Sequence, residues 1–345
     1  MRKESATRGC ASASAGRLLA RQGAAIASNT LLAPPPVHGG DVVREAVQAG
    51  RDPSSILDFS ANIHPLGAPP GVLDAARAAI GDVHRYPSPS GEPLRSQISE
   101  RIGAEVVLGN GATELLRAAV SGCRRVWVRA PSYLGYAEAA WPAEVRHGDG
   151  AEAGDAVVVG RPNNPDGHLP SVDEVAAMRR PGLRIVVDES FLGFTGEPSC
   201  VGLEGVVVVT SMTKTFGIPG LRLGWATGID SRWVPTWTVN APAIAAGRAC
   251  LESWDWARQA PIDAWRVDLA NLLLANPRIV DVVGAANFLL VTLRESEAPT
   301  LRERVVRKYG VLIRDASNFA GLDGHHIRVA VRTPTENARL ADALR

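Results

Sequence analysis

The chain has 345 residues, 46% hydrophobic and 21% charged, with a formal net charge of +1. That balance fits a soluble globular protein of about two domains and excludes a nucleic-acid binder working through bulk charge. Cys10, Cys123, Cys200 and Cys250 are too scattered for a disulfide framework or a zinc site, so a reducing cytoplasm and no metal are expected, and no apolar run is long enough to span a bilayer.

Residues 1–33 are rich in Ala, Ser and Arg, including Arg2, Arg8, Arg17 and Arg21. They read as a disordered or loosely helical leader. The same composition fits a targeting peptide, but no apolar segment precedes a cleavage site. Pro34-Pro35-Pro36 marks the expected start of the fold. Helices are predicted over 41–49, 72–80 and 92–102, with a short extended piece at 56–60 and turn-rich connections at 65–71 and 86–91.

From Val106 the pattern alternates. Strands are predicted at 106–108, 125–129, 156–159, 184–187 and 206–209, with helices at 112–120, 132–140 and 172–178. Short buried strands separated by helices specify an α/β fold with a mostly parallel sheet covered on both faces. Past Lys214 comes an Ala-rich helical stretch holding Trp233, Trp237, Trp254, Trp256 and Trp265, expected in core and interface packing. Strands at 288–293, 311–313 and 326–331, with helices near 301–309 and from 336, indicate a second, smaller α/β domain.

The segment from Ser211 to Trp225 concentrates chemistry behind the buried strand 206–209. Lys214 offers an amine for an aldehyde carbon, while Ser211, Thr213 and Arg222 offer hydroxyls and a guanidinium for a phosphate. The carboxyl end of a buried strand is where open α/β sheets place ligands. The plainer alternative is a surface Lys and Arg on an ordinary loop.

Four further features lie at predicted strand ends. Gly109-Asn110-Gly111-Ala112-Thr113-Glu114 is a strand-to-helix turn whose amides and helix dipole suit a phosphate, as in many α/β turns. Asp188 closes the strand 184–187, where an acid is costly unless paired; a protonated pyridine nitrogen would pair it, as would a helix cap or a salt bridge. Arg161-Pro162-Asn163-Asn164-Pro165-Asp166-Gly167 holds an asparagine between prolines, able to present its amide to a ring hydroxyl or simply to turn the chain. Tyr133, in Pro131-Ser132-Tyr133, could stack on a flat cofactor.

In this order the features resemble fold-type I pyridoxal-phosphate enzymes of the class I/II aminotransferase group, over roughly residues 37–345. The resemblance implies a large cofactor domain at 66–245, a small domain at 246–345, and residues 34–65 as the amino-terminal part of the small domain or a lid. It implies that Lys214 carries pyridoxal 5'-phosphate, Asp188 pairs with the pyridine nitrogen, Asn164 faces the ring hydroxyl and Tyr133 stacks on the ring. Ser211, Thr213, Arg222, Gly111 and the amides of Ala112 and Thr113 would hold the phosphate. Tyr86 looks like the tyrosine that reaches the phosphate from the partner subunit of a homodimer. Arg314 and Arg328 resemble the arginines that bind the substrate carboxylate, a task suited to a planar guanidinium; a surface ion pair is the plainer alternative.

His38-Gly39-Gly40-Asp41, Asp58 to Gly67 and Ile218 to Gly224 are most similar to the branch of threonine-phosphate decarboxylases of cobalamin synthesis, beside the histidinol-phosphate aminotransferases. By that likeness His38 and Gly39 lie near the substrate phosphate and Asn62 is an active-site asparagine. Two departures stand out. Phe191 occupies the position where many aminotransferases have a tyrosine donating to the ring hydroxyl, and Asp166 replaces the usual threonine of the asparagine-proline turn. The expected activity is decarboxylation of a small phosphorylated amino acid, with transamination by the same residues as the alternative. A ligand sensor on this fold would need a DNA-binding module, and the leader is too short and irregular for a winged helix.

Overall fold

The structure is a computed structural model that describes residues 38–345. The leader expected at residues 1–33 lies outside the described residues. The chain divides into Met1–His38 and Gly39–Arg345, and the fold belongs to the second unit.

Helix α1 (Val42–Ala49) is capped by Asp41, whose carboxylate accepts from the Arg44 amide, and leads to the short strand β1 (Leu57–Asp58). Helices α2 (Val72–Ala79) and α3 (Leu94–Ile102) come before the large sheet. There follow β2 (Val107–Gly109), α4 (Ala112–Ala119), β3 (Arg125–Val128), α5 (Gly135–Ala140), β4 (Glu144–His147) and β5 (Ala156–Gly160). Next come α6 (Val172–Ala177), β6 (Arg184–Asp188), β7 (Val206–Ser211), α7 (Met212–Thr215) and β8 (Gly224–Thr227).

These strands form a seven-stranded sheet in the order β2-β8-β7-β6-β5-β3-β4. Strands β7, β6, β5, β3 and β4 pair in parallel, and β8 runs antiparallel to both neighbours. The continuous valine runs of β6 and β7 suit strands buried on both faces. Alternation sends Ile185, Val187, Val206 and Val208 into the core on one face, and Val186, Val207 and Val209 into the core on the other. Because the central strands are parallel, the loops after β5, β6 and β7 emerge along one edge. Those loops carry Asn164, Asp188 and Lys214.

The carboxyl-terminal part contains α8 (Ala241–Leu251), α9 (Ile262–Leu274), β9 (Ile279–Val283), β10 (Phe288–Leu293) and α10 (Ala298–Tyr309). It ends with β11 (Val311–Leu312), β12 (Arg314–Asp315), β13 (His326–Ala330) and α11 (Pro334–Leu344). An antiparallel sheet runs β12-β13-β10-β9, while β11 pairs in parallel with β1, Leu57 opposite Val311.

Several elements differ from the sequence expectation. Strands β4 and β9 lie at sheet edges and are largely exposed; β4 lacks an apolar run, and Asp281 interrupts that of β9. Strand β8 is buried but is only Gly-Trp-Ala-Thr, too short to signal itself. Helix α5 begins at Gly135, after the Pro131 loop. Trp233 and Trp237 are 52% and 48% exposed, lying on the connection between β8 and α8, where Trp233 closes a single 3-10 turn (Ser231–Trp233). Among the described residues, no helix is long and apolar enough to cross a membrane, and no cluster of three or more His, Cys, Asp or Glu could hold a metal ion.

Candidate active site

Strand β7 delivers Lys214 by ending directly in a one-turn helix. Ser211 caps it: its Oγ accepts from the Thr213 amide at 3.3 Å and lies 2.6 Å from Thr213 Oγ1. Lys214 is half-buried, and its amine is lowered to about 8, by burial first and then by the cations Arg328 and Arg222, with Asp188 opposing. The Lys214 carbonyl accepts from the His64 amide at 3.1 Å. A Cβ on Gly217 (φ +62) would come within 2.4 Å of the Gly67 carbonyl carbon, so the 64–67 loop straps closely across the lysine loop. The buried His64 ring donates through Nε2 to Trp256 O at 3.1 Å and accepts from the Leu66 amide at Nδ1; burial lowers it to about 4, which keeps it neutral.

At the end of β6, Asp188 is buried. Its Oδ1 accepts from the amide and hydroxyl of Ser190, and its Oδ2 from Tyr136 Oη at 3.0 Å. Burial pushes its carboxyl up against these bonds and the charge of Lys214. Tyr133 stands edge-on to Tyr136, ring centroids 5.5 Å apart. Burial pushes the Tyr133 hydroxyl up, Glu138 and Asp188 add to the rise, and Arg328 and Arg222 oppose it.

The phosphate cradle is built from close backbone approaches. Gly111 caps α4 with no side chain, at φ +77, so the first-turn amides of Ala112 and Thr113 face outward. A Cβ there would stand 2.6 Å from Arg222 Nη2. A Cβ on Gly224 would stand 3.1 Å from the Ala112 amide nitrogen. Arg222 itself has φ 56, in the left-handed region that L residues seldom adopt. The helix N-terminus, the guanidinium and the Ser211–Thr213 hydroxyls thus define an anion cradle.

Opposite, Arg314 and Arg328 are direct cross-strand partners on β12 and β13. Arg328 donates from Nη1 to Asn164 Oδ1 at 2.7 Å and from Nη2 to Ser60 O, and its Nε is buried with no protein partner. Arg314 donates to Asn318 Oδ1 at 2.7 Å and lies over Phe319. Burial lowers the two guanidiniums to about 9 and about 10. Asn62 is buried beside this region of chain with both side-chain polar atoms unpartnered. Gly39 lies against Ser60, where a Cβ would meet the carbonyl oxygen at 2.1 Å. Asp166 accepts from Asn163 Nδ2 and pairs with Arg129, bracing the Asn164 turn from outside.

One expected residue stands apart. Tyr86 is 84% exposed and packs at a tilt against Trp237, centroids 5.1 Å apart. His38, half-buried, ends the other unit of the chain. Tyr136, Ser190 and the carbonyl of Ser60 were not marked in the sequence. Tyr136 carried a signal, standing one helical turn after Tyr133.

This donor set fits pyridoxal phosphate. Ser211 and Thr213 of the anion cradle flank the turn that carries the amine, the acid Asp188 is held by Tyr136, and Tyr133 packs edge-on against that same tyrosine; the buried Asn62 amide and Arg328 Nε have no protein partner. Fold and site together define a pyridoxal-phosphate enzyme of fold type I. Residues 148–252 match the family model "Aminotransferase class I and II". Threonine-phosphate decarboxylase of Salmonella typhimurium is 30% identical over 89% of this chain and 95% of its own length. The adenosylcobalamin biosynthesis bifunctional protein CobDQ of Leptospira interrogans is 32% identical over 89% of this chain, and the chain spans 40% of its length. Among solved structures, L-threonine-O-3-phosphate decarboxylase from Porphyromonas gingivalis has a TM-score of 0.75 at 26% identity, covering 83% of this chain and 97% of its own. Histidinol-phosphate aminotransferase from Clostridium acetobutylicum has a TM-score of 0.76 at 26% identity, covering 84% and 98%. The chain belongs to the class I and II aminotransferase family and is a pyridoxal-phosphate-dependent enzyme.

Proposed function

We propose that the protein decarboxylates L-threonine O-3-phosphate to (R)-1-aminopropan-2-yl phosphate, a step of cobalamin biosynthesis. The observation that carries this reading is Phe191. Its ring is buried edge-on against Phe288, centroids 5.0 Å apart, and offers no hydrogen-bond donor where many aminotransferases have a tyrosine. The names of the Salmonella and Leptospira relatives support the same choice.

Pyridoxal phosphate, when bound, supplies an electron sink for the bond broken at the substrate α-carbon. The chain's residues do the rest. Ser211, Thr213, Arg222 and the amides of Ala112 and Thr113 would grip the cofactor phosphate, while Asp188 would hold the ring nitrogen, Asn164 the ring hydroxyl, and Tyr133 the ring face. Arg328 and Arg314 fix the substrate carboxylate, and Asn62 offers its unpaired amide to the substrate. Lys214 Nζ, with its lowered proton affinity, carries a proton to the α-carbon after carbon dioxide leaves. By orienting the carboxylate, Arg328 and Arg314 would select which bond at the substrate α-carbon is given up. Tyr86 and Trp237 form the exposed aromatic pair that a second copy covers in a homodimer.

Transamination of histidinol phosphate with 2-oxoglutarate is the second reading, favoured by the fold match to the Clostridium enzyme. Incubating the purified protein with threonine phosphate should release carbon dioxide and aminopropanol phosphate. Silence there, with glutamate formed from histidinol phosphate and 2-oxoglutarate, would select transamination instead.

A further inference from the structure

We infer that Tyr136 is a positioning residue for Asp188: its hydroxyl leaves one open acceptor position on Oδ2 and aims that oxygen at the cofactor ring. The inference rests on the reading above that Asp188 faces the ring nitrogen.

The argument begins with acceptor capacity. A carboxylate oxygen accepts about two hydrogen bonds. Oδ1 of Asp188 already takes both the amide and the hydroxyl of Ser190. Oδ2 takes only Tyr136 Oη, at 3.0 Å. The vacancy for a ring N–H therefore lies on Oδ2, and the Tyr136 bond fixes where that vacancy points. A buried tyrosine hydroxyl usually finds a backbone carbonyl or another neutral partner. This one, on a fully buried ring, is spent on the acid of the site.

The local chain is shaped to permit the contact. Gly160 is the cross-strand partner of Asp188, and a Cβ at 160 would stand 2.9 Å from Tyr136 Oη. Glycine at the end of β5 thus clears the path by which the hydroxyl passes over one strand to reach the acid on the next. The same tyrosine buttresses Tyr133 edge-on, and Gly135 lets the Tyr133 ring fold back, since a Cβ there would meet Tyr133 Cε1 at 2.3 Å. One side chain therefore sets both the acid and the aromatic face offered to the ring. By donating to Oδ2, it also favours the ionised acid, which leaves the shared proton on the ring nitrogen.

The test is a double-mutant cycle on binding, using ligand-free protein titrated with pyridoxal phosphate and read by absorbance of the lysine adduct. Tyr136→Phe removes only the hydroxyl and should keep the wild-type circular dichroism spectrum. It should raise the dissociation constant about fivefold, the loss of one charge-assisted bond transmitted through Asp188. In an Asp188→Asn background the same change should matter by less than about twofold. An equal factor in both backgrounds, or no effect with Asp188 intact, overturns the role of Tyr136 while leaving that of Asp188. If Asp188→Asn alone leaves the dissociation constant unchanged, the placement of Asp188 against the ring fails instead.

Discussion

Arg161 and Glu189 form an ion pair, Nη1 to Oε1 at 3.3 Å, with side chains only 1% and 2% exposed. Each sits beside a group of the site: Arg161 opens the Asn164 turn and Glu189 follows Asp188. The Arg161 amide donates to Asp188 O at 2.9 Å, binding the two loops a second time. Arg161 gives its other donors to Pro170 O and Pro198 O, and Glu189 accepts from Ser199 and the Cys200 amide. The pair thus staples the Asn164 turn and the Asp188 loop to the 198–200 segment.

Arg161→Met should therefore strand a buried carboxylate and destabilise the fold by about 3–5 kcal/mol. Urea unfolding of the ligand-free protein measures this. A loss below about 1 kcal/mol would mean that Glu189 finds another partner or simply protonates.

The lowered amine of Lys214 gives a pH signature with a defined sign. Below about 8 the amine is charged in both folded and unfolded chains, and the full cost of burying that charge is present. Between about 8 and the ordinary lysine value of 10.5 the unfolded chain holds more protons, so stability rises with pH. The wild-type minus Lys214→Met difference in melting temperature isolates this rise from other titrations. A flat difference across the window would show that the amine is not perturbed.

Arg328 joins Asn164, Ser60 and the expected carboxylate through a planar fork that lysine cannot reproduce. Arg328→Lys should raise KM for the amino-acid substrate by about tenfold or more. Steady-state kinetics with threonine phosphate at saturating cofactor provides the measurement. An unchanged KM would move the carboxylate to Arg314 alone.

Substituting Gly111 tests the anion cradle. Gly111→Ala would force φ +77 on a residue with a Cβ and push Arg222 Nη2 aside. Strain of about 1 kcal/mol is expected from the backbone, with about tenfold weaker binding of pyridoxal phosphate from the displaced guanidinium. Titration with pyridoxal, which lacks the phosphate, should show a much smaller change.

Sedimentation addresses the exposed aromatic pair. The wild-type protein should sediment as a dimer, and Tyr86→Ala with Trp237→Ala should weaken that dimer by about tenfold or more. A monomeric wild type would leave the pair without the proposed partner.

Much of the site was legible because its residues sit where buried parallel strands end. The valine runs at 184–187 and 206–209 located Asp188 and Lys214, and glycines marked the cradle at Gly111. Contacts formed across the chain left no local trace. Nothing near Arg328 announces that it donates to Ser60, and nothing near Arg314 announces that it lies opposite Arg328, because pairing between β12 and β13 is a tertiary fact. Edge strand β4 was missed because exposure removes the apolar pattern on which periodicity depends.

The bond from Arg328 to Ser60 spans 268 residues of sequence. Strand β1 is likewise without its partner β11 until residue 311 exists. A chain leaving the ribosome would thus have all strands of the large sheet, with Lys214 and Asp188, before Arg314 and Arg328 are made. Chain order therefore separates the two halves of the candidate site: the strands that carry Asp188 and Lys214 are complete by residue 227, and the paired arginines exist only from residue 328.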